Sequence, residues 1–163
     1  MKVYLDNCSY NRPFDDQSQI RIYLETQAKL HIQKSIRDGR LQLAFSYISR
    51  YENGNSPHTS NKTTIERFFK NAVTFVDIDK ANMIENKAKE IMKYGVKAKD
   101  ALHIACAIEA KCDYFITTDD GILKKYKAED INVCSPVNFI NIIEDSYVLQ
   151  HSNHNERGYE LPR

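Results

Sequence analysis

The chain has almost no net charge: 23 lysines and arginines stand against 22 aspartates and glutamates, leaving +1 at neutral pH. A broad basic footprint for nucleic acid is therefore missing, and any such binding must use local patches. Cysteine is scarce as well. The four present, Cys8, Cys106, Cys112 and Cys134, form no Cys-x-x-Cys pair, which argues against a zinc ribbon or a thioredoxin-type redox site. Cys106 lies in an apolar helical run and Cys134 in a short apolar strand, the setting of buried thiols in a reducing compartment. No stretch approaches the roughly 18 apolar residues of a membrane span, and no apolar leader follows Met1-Lys2-Val3-Tyr4-Leu5-Asp6. A soluble, cytoplasmic protein is expected. Repeats, a Gly-rich phosphate loop and a Ser–His–Asp arrangement are all lacking.

What is present suffices for one core. Of 163 residues, 42% are hydrophobic, too many for a disordered chain and enough for a single domain. Lys2 to Leu5 reads as a short strand ending at Asp6-Asn7. Pro13 marks a loop, after which Asp15 or Asp16 is placed to cap a long helix. Ile20, Leu24, Ala28, Ile32 and Ile36 form its apolar stripe, and Gly39 its stop. Leu41, Leu43 and Phe45 alternate as a second strand. Ser46 suits the cap of a short helix carrying Glu52. A loop follows over 53–61, and Thr63-x-x-Glu66 has capping-box spacing for the next helix. Val73 to Ile78 reads as a third strand, and Asp79 as the cap of a helix ending at Gly95. Asp100 opens an almost wholly apolar helix through Ala110, the mark of a centrally packed element. Tyr114 to Ile116 is the fourth strand, and a short helix spans 121–126. Ile131 to Cys134 is the fifth strand, and Pro136 to Ile143 the last helix. Strands alternating with helices predict an α/β fold, a parallel five-stranded sheet with helices on both faces. The domain is expected over 1–145, with a polar tail over 146–163.

In such sheets sites form beyond the carboxyl ends of the strands, and acids gather there. Asp6 ends the first strand and Asp119 follows the fourth. Asp100 begins the buried helix, and Glu52 lies on the helix after the second strand. Each has a plainer reading, as a helix cap for Asp100 and Asp119 or a solvated surface acid for Glu52. Together they need something positive to share a small space, because like charges raise one another's pKa. A hard divalent cation, Mg²⁺ or Mn²⁺, meets that need and leaves positions open for phosphate oxygens.

Three segments make the chain resemble the PIN-domain family, in particular the toxin ribonucleases of type II toxin–antitoxin systems. They are Val3-Tyr4-Leu5-Asp6-Asn7, Lys99-Asp100-Ala101-Leu102-His103-Ile104-Ala105-Cys106-Ala107, and Asp113-Tyr114-Phe115-Ile116-Thr117-Thr118-Asp119. The resemblance spans about 1–143. It implies a PIN-like three-layer sandwich and a metal-dependent endoribonuclease with Asp6, Glu52, Asp100 and Asp119 as catalytic metal ligands. It also implies RNA as substrate, an antitoxin protein as partner, and a homodimer. The family commonly places a hydroxyl residue just after the first acid, where this chain has Asn7 and Cys8. Asn7, Thr117 and Asp120 are supporting candidates: Asn7 to orient a metal water, Thr117 to bond a carboxylate, Asp120 as an extra acid or second cap. Arg12, Arg50, Lys97, Lys99 and Lys124 flank the acids and are candidate phosphate contacts. Tyr10, Phe14 and Tyr51 are candidates to stack a base. His103, among apolar neighbours, reads as a packed core residue rather than a general base.

Two other readings compete. One is a catalytically weak PIN-like module that binds nucleic acid or a protein. The other, a phosphatase of the haloacid-dehalogenase type, needs a second Asp two residues after the first, and position 8 is Cys.

Overall fold

A computed structural model describes residues 1–155 of the chain. Five strands, β1 (Lys2–Leu5), β2 (Gln42–Ser46), β3 (Thr74–Val76), β4 (Tyr114–Ile116) and β5 (Asn132–Cys134), form one sheet in the order β3-β2-β1-β4-β5. Every neighbouring pair is parallel. β1 is central, so both its faces are covered: Val3 and Leu5 join one core, Tyr4 the other, and all three are buried. This is why its side chains read as a continuous apolar run rather than an alternation.

Among the described residues eight helices cover the sheet: α1 (Asn7–Asn11), α2 (Ile20–Arg37), α3 (Tyr47–Gly54), α4 (Thr59–Phe69), α5 (Ala81–Met92), α6 (Ala98–Glu109), α7 (Asp120–Lys125) and α8 (Pro136–Asn155). Residues of α5, α6 and α7 build the core on Tyr4's side, and residues of α1, α2, α4 and α8 the core on the side of Val3 and Leu5. The architecture is the α/β three-layer sandwich expected. Chain order runs outward from β1 to β3 and then resumes at β4, on the other side of β1. The topological switch point therefore lies between β1 and β4, where open α/β sheets carry their sites. Among the described residues no helix is long and apolar enough to cross a membrane.

Several local expectations are corrected. The loop marked by Pro13 is a short 3-10 turn over Arg12–Phe14, and before it the chain turns directly after Asp6 into α1, with the Asp6 carboxylate accepting from the Asn7 N–H at the cap. Neither Asp15 nor Asp16 caps α2. The cap is Gln19, without a side-chain bond, while Asp16 accepts from the Ser18 N–H in the turn before it. The apolar stripe of α2 is buried only in its second half: Ala28, Ile32 and Ile36 face the core, but Ile20 is 77% exposed and Leu24 50%. The first half instead turns Glu25 inward to hold Arg12 at 2.6 Å and Arg21 at 2.8 Å. α4 begins a turn earlier than the capping-box spacing indicates, and the Thr63 hydroxyl donates back to the Thr59 carbonyl. Asp79 lies in a short 3-10 turn over Ile78–Lys80 whose cap is Asp77. α8 runs to Asn155, well past Ile143.

Candidate active site

Asp6 follows β1 directly and is almost fully buried. Its Oδ1 accepts from the Asn7 N–H at 2.7 Å. Its Oδ2 accepts from the Thr117 hydroxyl at 2.8 Å and from the Cys8 thiol at 3.1 Å. Thr117 follows β4, hydrogen-bonded in register beside β1, and its hydroxyl oxygen also accepts the Asp119 N–H at 3.1 Å. One side chain thus ties the two strand-end acids together. The hydroxyl that the family pattern places just after the first acid is supplied here from the neighbouring strand. Ser9, the next hydroxyl along the chain, is fully buried and donates to the Ile116 carbonyl instead.

Asp119 is an N-cap after all: its Oδ1 accepts from the N–H groups of Gly121 at 2.6 Å and Ile122 at 3.3 Å. Asp100 is not a cap. Lys97 holds that position and Asp100 lies in the first turn of α6. The Asp100 carboxyl is half-buried, and its pKa is raised, first by that burial and then by the negative charges of Asp6 and Asp119. Asp100 therefore lies near enough to feel the charges of the two strand-end acids.

Glu52, on α3, packs against α6 from the other direction. Its side chain is 6% exposed, with Oε1 2.8 Å from Lys99 Nζ and Oε2 3.0 Å from His103 Nε2. The Lys99 contact is an ion pair, the His103 contact is one only with a protonated ring, and neither has hydrogen-bond alignment, so Glu52 Oε1 and His103 Nε2 remain without an aligned partner. Asn7 Oδ1 is likewise buried and unpartnered. His103 is a core residue as expected, but it is bonded to a side chain: its Nδ1 meets the Tyr4 hydroxyl at 2.9 Å, and that hydroxyl also meets the Ser46 and Ser49 hydroxyls at 2.7 Å each. Burial pushes the His103 pKa down, against the pull of Asp6 and Asp100, which favours the neutral ring. The Cys8 thiol is pushed up to about 12, first by burial and then by Asp6. A protonated thiol donating to Asp6 cannot serve as a nucleophile near neutral pH.

Other candidates are placed elsewhere. Asp120 is a correction: it is exposed and points away, held by both guanidinium N–H groups of Arg21 at 2.7 and 2.8 Å. Arg12 is engaged by Glu25 and Asp15. Arg50 lies over the rings of Phe45 and Phe75, 5.2 and 4.5 Å from their centroids. Lys99 is paired with Glu52. Lys97 and Lys124 make no ion pair among the described residues. Tyr10 is buried against Phe68 and Phe69 and cannot stack a base, whereas Phe14 and Tyr51 are exposed. Gly121 is a site residue the sequence reading missed. A Cβ there would sit 2.8 Å from Asp119 Oδ1, so only glycine leaves that carboxylate in place.

Among the described residues no three His, Cys, Asp or Glu side chains converge closely enough to cage a metal directly. The donors suit a different arrangement. They are hard oxygens, the Asn7 Oδ1 among them buried and unpartnered, and Mg²⁺ is commonly held by one or two carboxylates while keeping several waters.

No family model matches the chain, and no curated protein matches it. Among solved structures it is similar to a chain in the crystal structure of VapBC2 from Rickettsia felis bound to a DNA fragment from their promoter. The TM-score is 0.51 at 14% identity, covering 83% of this chain and 98% of that one. The likeness is one of fold, and the fold is PIN-like.

Proposed function

We propose that the chain is a cytoplasmic Mg²⁺- or Mn²⁺-dependent endoribonuclease, the toxin of a toxin–antitoxin pair. The observation that carries this reading is the Thr117 bridge between Asp6 and Asp119 at the switch point, with Asp100 close enough to feel both charges. Asp6 and Asp119 are the residues that would hold the ion, with Asp100 and Asn7 orienting its waters. A divalent cation at such a site acidifies a bound water and steadies charge developing on a phosphoryl oxygen. The chain's own part is to keep the carboxylates oriented. Thr117 and Cys8 fix one oxygen of Asp6, and the α7 cap fixes one oxygen of Asp119, leaving the other for the ion. Lys99 beside Glu52 supplies a local positive charge toward a phosphate in a chain with little net charge. The similarity to a chain of VapBC2 bound to promoter DNA supports seeking an antitoxin partner for this chain too.

A single-stranded RNA pool incubated with Mg²⁺, Mn²⁺ or chelator tests the reading. Cleavage is expected with metal only, and lost in Asp6→Asn and Asp119→Asn with the fold intact, because the amide keeps the shape and removes the charge. Cleavage that survives chelation, or persists in both variants, overturns it. The second reading, a catalytically weak binding module, has one observation in its favour: Lys99 already neutralises Glu52. Metal binding without cleavage of any cellular RNA would select it.

A further inference from the structure

α2 sorts its cations into two kinds. Arg21 and Lys34 each meet a carboxylate. Among the described residues Lys29 and Arg37 do not, nor does Arg67 on α4, and no carboxylate of those residues lines the pocket of about 260 Å³ that these three share with Phe14 and Gln33. Lys29 is the unusual member. It is 4% exposed, with its ammonium 5.9 Å from the centroid of the Tyr10 ring and no ion-pair partner among the described residues. Lysine is almost never buried so deeply without a counter-charge. Burial, with the Arg37 charge added, pushes its pKa down to about 7. Three mutually repelling cations around one pocket are relieved by an anion. Two planar guanidinium forks and one compact ammonium are the groups that recognise phosphate, and the buried Gln33 side chain adds a neutral amide.

The pocket is not isolated. Phe14 also lines a groove that contains Asn7, Asn11, Asp15, Glu52 and His58, and so reaches Glu52 and the residue next to Asp6. Its ring is 45% exposed, presenting a face on which a base can stack. A single strand bound at the acids would pass Phe14 before reaching Lys29.

We infer that the pocket formed by Lys29, Gln33, Arg37 and Arg67 is a phosphate site, holding a non-scissile phosphate of the single-stranded RNA bound at the acidic site. The inference rests on the nuclease reading for its RNA, but the phosphate site stands apart from it. Two measurements test it. In the first, inorganic phosphate is titrated at constant ionic strength and thermal melts are recorded for the full chain and its variants. Phosphate is expected to raise the melting temperature of the wild type and of Lys89→Gln, a charge-matched control on α5 across the sheet. It should have little effect on Lys29→Met or on the Arg37→Gln/Arg67→Gln double variant; both arginines are exposed, so that variant should fold. In the second, binding of a labelled single-stranded oligoribonucleotide to Asp119→Asn is followed by anisotropy across a salt series. Adding the double arginine change should weaken binding roughly tenfold and lower the salt slope by about 0.7, the value for the one lost phosphate contact. Loss of the phosphate effect with unchanged RNA affinity would overturn the RNA assignment and leave a site for a free phosphate. No phosphate effect and unchanged RNA affinity would overturn the inference entirely. Failure of the wild type to cleave RNA would count against the nuclease reading alone, since neither measurement depends on cleavage.

Discussion

Asp119 uses its two carboxylate oxygens differently. Oδ1 caps α7 through Gly121 and Ile122, and the other oxygen remains for the site. Cap and proposed ligand are therefore not rival roles at this position; the cap would orient the oxygen offered to a metal. Gly121→Ala tests this. The added methyl would press on Oδ1 from 2.8 Å, and the end of a flexible side chain can yield, so stability should fall by no more than about 1 kcal/mol, within the ordinary range for point changes. RNA cleavage should fall at least as much as in a mild ligand variant, because the carboxylate has swung. Unchanged kcat would mean that Asp119 does not act through this rotamer. Tyr4 is a positioning residue of another kind, since its hydroxyl joins Ser46, Ser49 and His103. Tyr4→Phe strands these buried groups and should cost about 1–3 kcal/mol in urea unfolding. The ring itself stays stacked on Phe115, so the sheet should be retained.

At the scale of elements, Ser46 was legible as a cap because its neighbours carry a helical pattern right after a strand. It does cap α3, accepting the Ser49 N–H. Ser46→Ala should lose about 1 kcal/mol from the cap, and more through the Tyr4 contact. It should also lower RNA cleavage, because α3 carries Glu52; a stability loss with no change in activity would separate Glu52 from the reaction. α1 was not legible. Five residues are too few to show periodicity, and Asn7-Cys8-Ser9-Tyr10-Asn11 has little helix propensity; the strand-end cap at Asp6 and packing of Tyr10 against α4 create it. The stripe of α2 was legible but half misplaced. Spacing shows which residues share a face, not how much of that face the neighbours reach, and in the first half Glu25 and its arginines take the inward position.

For the whole molecule, two global measurements are informative. Mn²⁺ at millimolar concentration should raise the melting temperature by mass action, since the folded chain gathers the carboxylates and the unfolded chain does not. The rise should vanish in Asp6→Asn. No shift, with no metal detected by calorimetry, would count against the metal site. The second concerns pH. Lys29 has its folded pKa depressed to about 7 from 10.5, and no carboxylate faces it in its pocket, only Arg37, Arg67 and neutral groups. Between those values the unfolded chain binds the extra proton, so stability rises with pH. Below about 7 the ammonium is charged in both states and the burial cost is fully present. Between about pH 7 and 8.5, stability should climb by up to roughly 1.4 kcal/mol per unit. Lys29→Met should be more stable than wild type at pH 7 and should lack this slope. Equal slopes in urea titrations of the two proteins would refute the assignment.

The sequence by itself determined the order of the strands and of every helix but α1, the parallel sheet, and the acids Asp6 and Asp119 beyond two of its strands. Those follow from local patterning: apolar runs of strand length, helical stripes, and acids where the runs stop. Only the tertiary structure decided what each acid touches. Thr117 was visible as a hydroxyl that could bond a carboxylate, but that it serves both Asp6 and Asp119 depends on β1 and β4 lying side by side, 111 residues apart in the chain. Glu52 meets Lys99 and His103 because α3 packs on α6, and Asp120, next to Asp119, is drawn off by Arg21. Lys29 reads in the sequence as one more helical lysine; its burial beside Arg37 and Arg67 exists only once α2 and α4 close on each other. Local patterns record which side a residue faces, whereas partners, burial and electrostatic coupling are properties of distances that the chain sets only by folding.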